Sequence, residues 1–302
     1  MYQRIILVLL VFVQFTVQAQ TLTIATYQYA DNNRIANLQP FANYLKDSLG
    51  YPVQVKSYPT VHALLTAIRQ GEVDVAFLNT FGYLLLEAGK KDYPMRPVAA
   101  LQVPASAKDN YKSVLLARKS IGISQFKQIK KQAAGMRLAL VNIGSTSGNL
   151  MPRLALKRSG IDSIESFFSS VQYAMNHANA IQALVKQEAD ISGMGFTEWE
   201  KIQANDPTAA QGLQVLWVSE EIPLGPVMFH NRITSAIGGE LLQALLMLHQ
   251  RQPAALESIK AGWSEAKQAT HFSTIQANYY NPFVRSIGKP KDVAGILSRF
   301  AF

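Results

Sequence analysis

Apolar and polar residues alternate over Leu22–Tyr27, and alternation of that period predicts a β-strand. Asp31, Asn32 and Asn33 follow as a polar loop able to cap a helix. Ile35, Leu38, Phe41, Ala42 and Leu45 then recur at helical spacing, and Gly50 stops the run. The two periods keep taking turns. Strands are predicted over 52–58, 73–78 and 97–103, and helices over 61–68 and 80–88. A series of this kind builds a doubly wound, mostly parallel sheet.

The series then restarts. Strands are predicted over 113–117, 136–141, 168–173, 189–194 and 213–218. Helices separate them over 124–133, 149–158, 176–187 and 197–204. Beyond Pro223 and Pro226 the character changes to one short strand at 227–230 and helices over 239–250, 254–261 and 290–302. That tail holds too few strands for a third domain and is expected to pack back on the first lobe. The fold class is α/β, with two doubly wound lobes joined by a two-stranded hinge. The expected first lobe is residues 20–104 plus 226–302, and the second is 105–225. The chain crosses near 104–111 and returns near 220–226. Ligands of open α/β sheets bind beyond the carboxyl ends of the strands. Two facing lobes put those ends on opposite walls of one cleft, which a hinge can close.

The first residues carry a different signal. Arg4 precedes an almost unbroken apolar run from Ile5 to Phe15, and Val17-Gln18-Ala19 places small residues at both positions of a cleavage site. This is the pattern of a secretory signal peptide, residues 1–19, cleaved near Ala19. The apolar run is about half the ~20 residues that a membrane span requires. The protein is therefore expected in the periplasm. The sequence has no Cys, which excludes thiol chemistry, zinc–thiolate sites and lipid attachment after the apolar run.

A net charge of +9 suits nucleic acid, an anionic membrane surface or small anions. The basic residues are scattered. Their densest group, Lys127, Lys130 and Lys131, stands at helical spacing among Gln125, Gln128 and Gln132 and reads as a solvated helix face. Export argues against nucleic acid, and the charge fits an anion receptor.

The most informative segment is Gly144-Ser145-Thr146-Ser147-Gly148, between a predicted strand and a predicted helix. The first N–H groups of a helix lack intrahelical partners, and the helix dipole adds partial positive charge. Small residues let an oxyanion approach them. One hydroxyl would serve as an N-cap; three neighbouring hydroxyls suit three oxygens on one tetrahedral centre. A phosphate-binding P-loop needs Gly-Lys-Ser/Thr, but Asn149 follows Gly148. A nucleophile elbow needs Ser at its centre, where Thr146 stands. The five His residues are dispersed, with no metal-ligand pair among them. No catalytic residue, metal or cofactor is expected.

His177 opens a helix of the second lobe and either donates to an oxyanion or caps that helix. Asn79 and Thr80, where a strand of the first lobe meets its helix, either cap it or donate to the ligand. Tyr27 and Tyr29 follow the first strand and can wall the cleft or join the core. Glu198, after the last inner strand of the second lobe, either accepts from a ligand amine or faces solvent.

With these residues in place, the chain resembles the phosphate/phosphite/phosphonate-binding proteins of ABC importers, which are type 2 periplasmic binding proteins. The resemblance rests on Leu-Gln-Pro-Phe-Ala-Asn-Tyr-Leu at 38–45, Gly-Tyr-Pro-Val at 50–53 and Gly-Glu-Val-Asp-Val-Ala-Phe at 71–77. It continues with Ser-Thr-Ser-Gly at 145–148, Pro152, and Asn-His-Ala-Asn-Ala-Ile at 176–181. It implies that Ser145, Thr146, Ser147 and His177 hold an oxyanion, with a role for Asn79 and Thr80. It also implies delivery of the loaded protein to a membrane permease with a cytoplasmic ATPase. A sensor kinase is the alternative partner, and an exported hydrolase the alternative class. The family often has a Tyr at the start of the second helix, where this chain has Val61.

Overall fold

The computed structural model describes residues 21–89, 92–107, 110–276 and 278–300. The expected signal peptide lies outside the described residues. The first sheet takes β1 (Leu22–Tyr27), β2 (Val53–Tyr58), β3 (Val75–Phe77) and β4 (Met95–Gln102). The second takes β5 (Ser113–Arg118), β6 (Arg137–Leu140), β7 (Ser170–Tyr173), β8 (Ile191–Gly195) and β9 (Leu213–Val218). The chain then returns to the first sheet with β10 (Pro226–His230) and β11 (His271–Thr274). The sheet orders are β11-β4-β10-β3-β1-β2 and β7-β6-β8-β5-β9.

In each sheet a parallel trio, β2-β1-β3 and β7-β6-β8, carries the loops that face the other lobe. The strands beside it run antiparallel: β10 against β3 and β4, and β5 against β8 and β9. The inner strands β3 and β8 are buried at every residue. Strands covered by helices on both faces lose their alternation, which is why these two read as apolar runs. The edge strand β2 is only half-buried.

The two lobes repeat one anchoring device. Asp74, just before β3, accepts from the Thr23 N–H (2.8 Å) and from Arg232 Nε (2.8 Å). Asp190, just before β8, accepts from the Arg137 N–H (2.9 Å), from Arg137 Nε (3.1 Å) and from Arg118. Each carboxylate thus fastens its inner strand to the neighbouring strand and neutralises its own burial with an arginine. Arg137 and Arg118 hold the Asp190 carboxyl far below the usual carboxylate range.

Two glycines permit close approaches. A Cβ on Gly225 would lie 1.9 Å from the Leu78 carbonyl oxygen, so only glycine lets the returning hinge strand lie against the end of β3. A Cβ on Gly148 would lie 2.2 Å from Val141 Cγ2, so only glycine lets the loop 144–148 seat on the end of β6.

The tail departs from expectation. Strand β11 and the helix Asn281–Ile287 extend it, and β11 closes the first sheet against β4. Its last helices also reach the second lobe. Phe283, Ile287, Val293, Ile296 and Leu297 share one apolar cluster with Leu84 and Leu85 and with Leu150, Met151 and Leu154. The expected helix 124–133 is a 3-10 turn at Phe126–Gln128 and one α-turn at Ile129–Gln132. Ile129 and Ala133 are its only buried residues, too little apolar surface to hold a longer helix. Among the described residues no helix is long and apolar enough to cross a membrane.

Candidate functional site

The loops after β1, β6 and β7 meet across a cleft of about 940 Å³ between the lobes. Its polar wall is the expected loop. Ser145 Oγ accepts from the Gly148 N–H (3.0 Å) as an N-cap. Residues Thr146–Leu150 then make a π-type turn that runs into the helix Met151–Arg158. Such turns widen a helix entrance and recur at functional sites. Thr146 Oγ1 accepts from the Phe81 N–H of the first lobe (3.1 Å). A hydroxyl that accepts an N–H keeps its proton to donate, so Ser145 and Thr146 remain available to an anion. Ser147 lies deeper. Its Oγ is buried without a formed hydrogen bond, while its carbonyl accepts from Ser113 Oγ (2.6 Å).

His177 faces the same cleft. Its Nδ1 accepts from the Gly195 N–H (2.9 Å), so the neutral ring carries its proton on Nε2. Burial, aided by Lys201, lowers its pKa from 6.5 to about 4. The side chain is then a neutral N–H donor at physiological pH. The unfolded His titrates near 6.5, and between that value and about 4 the unfolded state holds the extra proton. His177 therefore adds stability above pH 6.5 that is lost as pH falls toward 4. Denaturant unfolding at pH 7.5 and pH 5 should show a smaller loss for His177→Gln than for the unaltered protein. An equal loss would contradict this environment.

The remaining expected residues divide. Tyr27 lines the cleft from the end of β1, and burial raises its hydroxyl pKa, which keeps it neutral. Asn79 also lines the cleft, but both ends of its side chain are engaged. Oδ1 caps the helix Thr80–Ala88 through the Gly82 N–H (2.9 Å), and Nδ2 donates to the Gly144 carbonyl of the facing lobe (2.8 Å). Thr80 does not line the cleft. Its hydroxyl donates to the Pro223 carbonyl (2.6 Å) and fastens the hinge. Glu198 pairs with Lys201 at 2.6 Å and is also absent from the cleft wall.

Three further cleft residues were not among the expected site residues. Tyr111 lies in the crossing segment. Burial holds its hydroxyl well above the usual phenol range, and the Ser147 and Thr146 hydroxyls beside it oppose that rise. Arg34 stacks over Tyr27 (4.3 Å) and Trp263 (4.4 Å) and donates to the Gly262 and Tyr27 carbonyls. Glu265 comes from the tail, and burial raises its carboxyl against the pull of Arg34. Among the described residues no group of three or more His, Asp or Glu side chains is placed to hold a metal ion. The cleft combines neutral donors from Ser145, Thr146 and His177 with the Arg34 guanidinium and the Glu265 carboxyl.

Comparison with known proteins identifies the family of the chain. The family described as "ABC transporter, phosphonate, periplasmic substrate-binding protein" matches residues 24–272. The chain is 22% identical over 262 residues to the phosphonates-binding periplasmic protein of Escherichia coli, covering 86% of this chain and 73% of that one. It is 26% identical over 238 residues to the phosphate-import protein PhnD of Mycolicibacterium smegmatis, covering 75% and 70%. PhnD1 of Prochlorococcus marinus, solved with methylphosphonate, superposes with a TM-score of 0.67 at 18% identity, covering 92% of this chain and 98% of that one. The chain belongs to the family of periplasmic substrate-binding proteins of phosphonate ABC transporters.

Proposed function

We propose that the cleft holds a tetrahedral phosphorus oxyanion on Ser145, Thr146, Ser147 and His177, with Tyr27 walling the site. The family makes the protein a substrate-binding component of transport rather than an enzyme, and implies a membrane permease as its partner. The observation that carries the ligand assignment is the convergence of Ser145, Thr146 and the His177 ring on one cleft. Ser145, Thr146 and the His177 ring supply neutral donors, the buried Arg34 guanidinium of the same cleft adds positive charge, and the protein's net positive charge draws anions toward it. Asn79 and Thr80 serve the site indirectly, one by tying the lobes together and the other by fixing the hinge.

The proposed cycle is hinge closure. Lobe one is residues 20–104 plus 226–302, lobe two is 105–225, and residues 1–19 are removed on export. Ligand bridging the lobes shifts the population to the closed form, which the permease then receives. Isothermal titration of methylphosphonate should give one site per chain. His177→Ala should weaken it about tenfold, the effect of losing one donor worth about 1.4 kcal/mol. Affinity unchanged by that substitution would remove His177 from the site.

A further inference from the structure

Five large apolar side chains stand exposed among the described residues, and three of them line the cleft: Ile143 (43%), Tyr173 (36%) and Met175 (68%). Single exposed apolar residues are ordinary. Three gathered beside a polar anchor are not. They belong to adjacent loops, since β6 and β7 are paired with Leu140 opposite Tyr173. Asn142 Nδ2 donates to the Met175 carbonyl (3.3 Å) and ties the two loops together. Met175 is held at φ 74°, in the left-handed region where a long side chain is disfavoured. Pro59 and Val61 line the cleft from the facing lobe.

The dimensions point the same way. A tetrahedral oxyanion fills only a few times the ~30 Å³ of a water molecule. The cleft offers about 940 Å³, at the upper end of the range that takes drug-sized organic ligands. The apolar rim adjoins the polar donors on both loops, Ile143 near Ser145 and Met175 near His177.

We propose that Ile143, Tyr173 and Met175 form a second subsite, which receives an apolar substituent carried on the phosphorus. The protein then favours phosphonates with larger alkyl or aryl substituents over methylphosphonate. Methionine, with its flexible thioether chain, adapts to substituents of different shape. This inference rests on the oxyanion reading above and names its ligand class.

The test is isothermal titration of ligand-free protein with methyl-, butyl- and phenylphosphonate. A buried methylene is worth roughly fourfold in affinity, so the two larger ligands should bind at least tenfold more tightly than methylphosphonate. The double substitution Ile143→Ser with Met175→Ser should abolish that preference and leave methylphosphonate within twofold. Both side chains are exposed, so the variant keeps its fold. Tyr173 is left in place because its hydroxyl accepts from Arg153 (3.0 Å). Equal or weaker binding of the larger ligands overturns the subsite, as does a preference that survives the double substitution. If no phosphonate binds at all, the oxyanion reading itself falls, a result distinct from a flat series.

Discussion

Alanine at Ser145, Thr146 and Ser147 together is expected to lower methylphosphonate affinity at least a hundredfold. Each lost donor leaves one ligand oxygen unpaired in a partly buried site, at about 1–3 kcal/mol apiece. The structure also sets a cost for the fold. Ser145 caps the π-type turn, and Thr146 accepts from Phe81. Removing such caps costs about 1 kcal/mol each, so the triple variant should melt a few degrees lower without ligand. Ser147→Ala separates the two effects. Its hydroxyl makes no formed hydrogen bond, so this single variant should keep its melting temperature and lose affinity. A folded triple variant that binds as well as the unaltered protein would contradict the loop assignment.

Asp190→Ala is expected to be the most destabilising change outside the cleft. The carboxylate is 11% exposed and receives the Arg137 backbone and side chain as well as Arg118. Its loss removes a tie between β8 and β6 and takes the carboxylate from both Arg137 and Arg118. Removing one side of such a pair costs about 3 kcal/mol, which for a lobe of about 120 residues lowers the melting temperature by roughly 10–15 °C. The depressed pKa gives the pH dependence. The stabilisation is present above pH ~4, the unfolded Asp value, and is lost as pH falls below it. The variant should therefore approach the unaltered protein in stability as the pH drops through 4 to 3. Denaturant unfolding across that range would show it. A constant difference between the two would contradict a stabilising ionised Asp190.

Much of this was legible in the chain. The alternation of β1, the helical spacing of Leu38, Phe41 and Leu45, and the apolar runs of β3 and β8 report local periods that burial enforces. The hydroxyl loop was legible because helix entrances concentrate unpaired N–H groups wherever they occur. The hidden parts depend on pairing at a distance. The shared role of Asp74 and Asp190 is masked by unlike neighbours, Val-Ala-Phe after one and Ile-Ser-Gly after the other. Strand β11 is four residues long, and its pairing with β4 decides its conformation. Tyr111 and Glu265 reach the cleft from the crossing segment and the tail, which no periodicity connects to it. Asn79 and Thr80 are neighbours, yet one side chain meets Gly144 and the other Pro223. Sequence marks the helix start there but not the direction in which each residue points.

Thermal melting of ligand-free protein against methylphosphonate, phosphite, phosphate and sulfate tests the central claim most directly. A ligand that binds only the native state raises the melting temperature by mass action. The account requires a rise with methylphosphonate, and none with sulfate at the same concentration. A rise with sulfate alone, or no rise with any phosphorus oxyanion in folded protein, would contradict it.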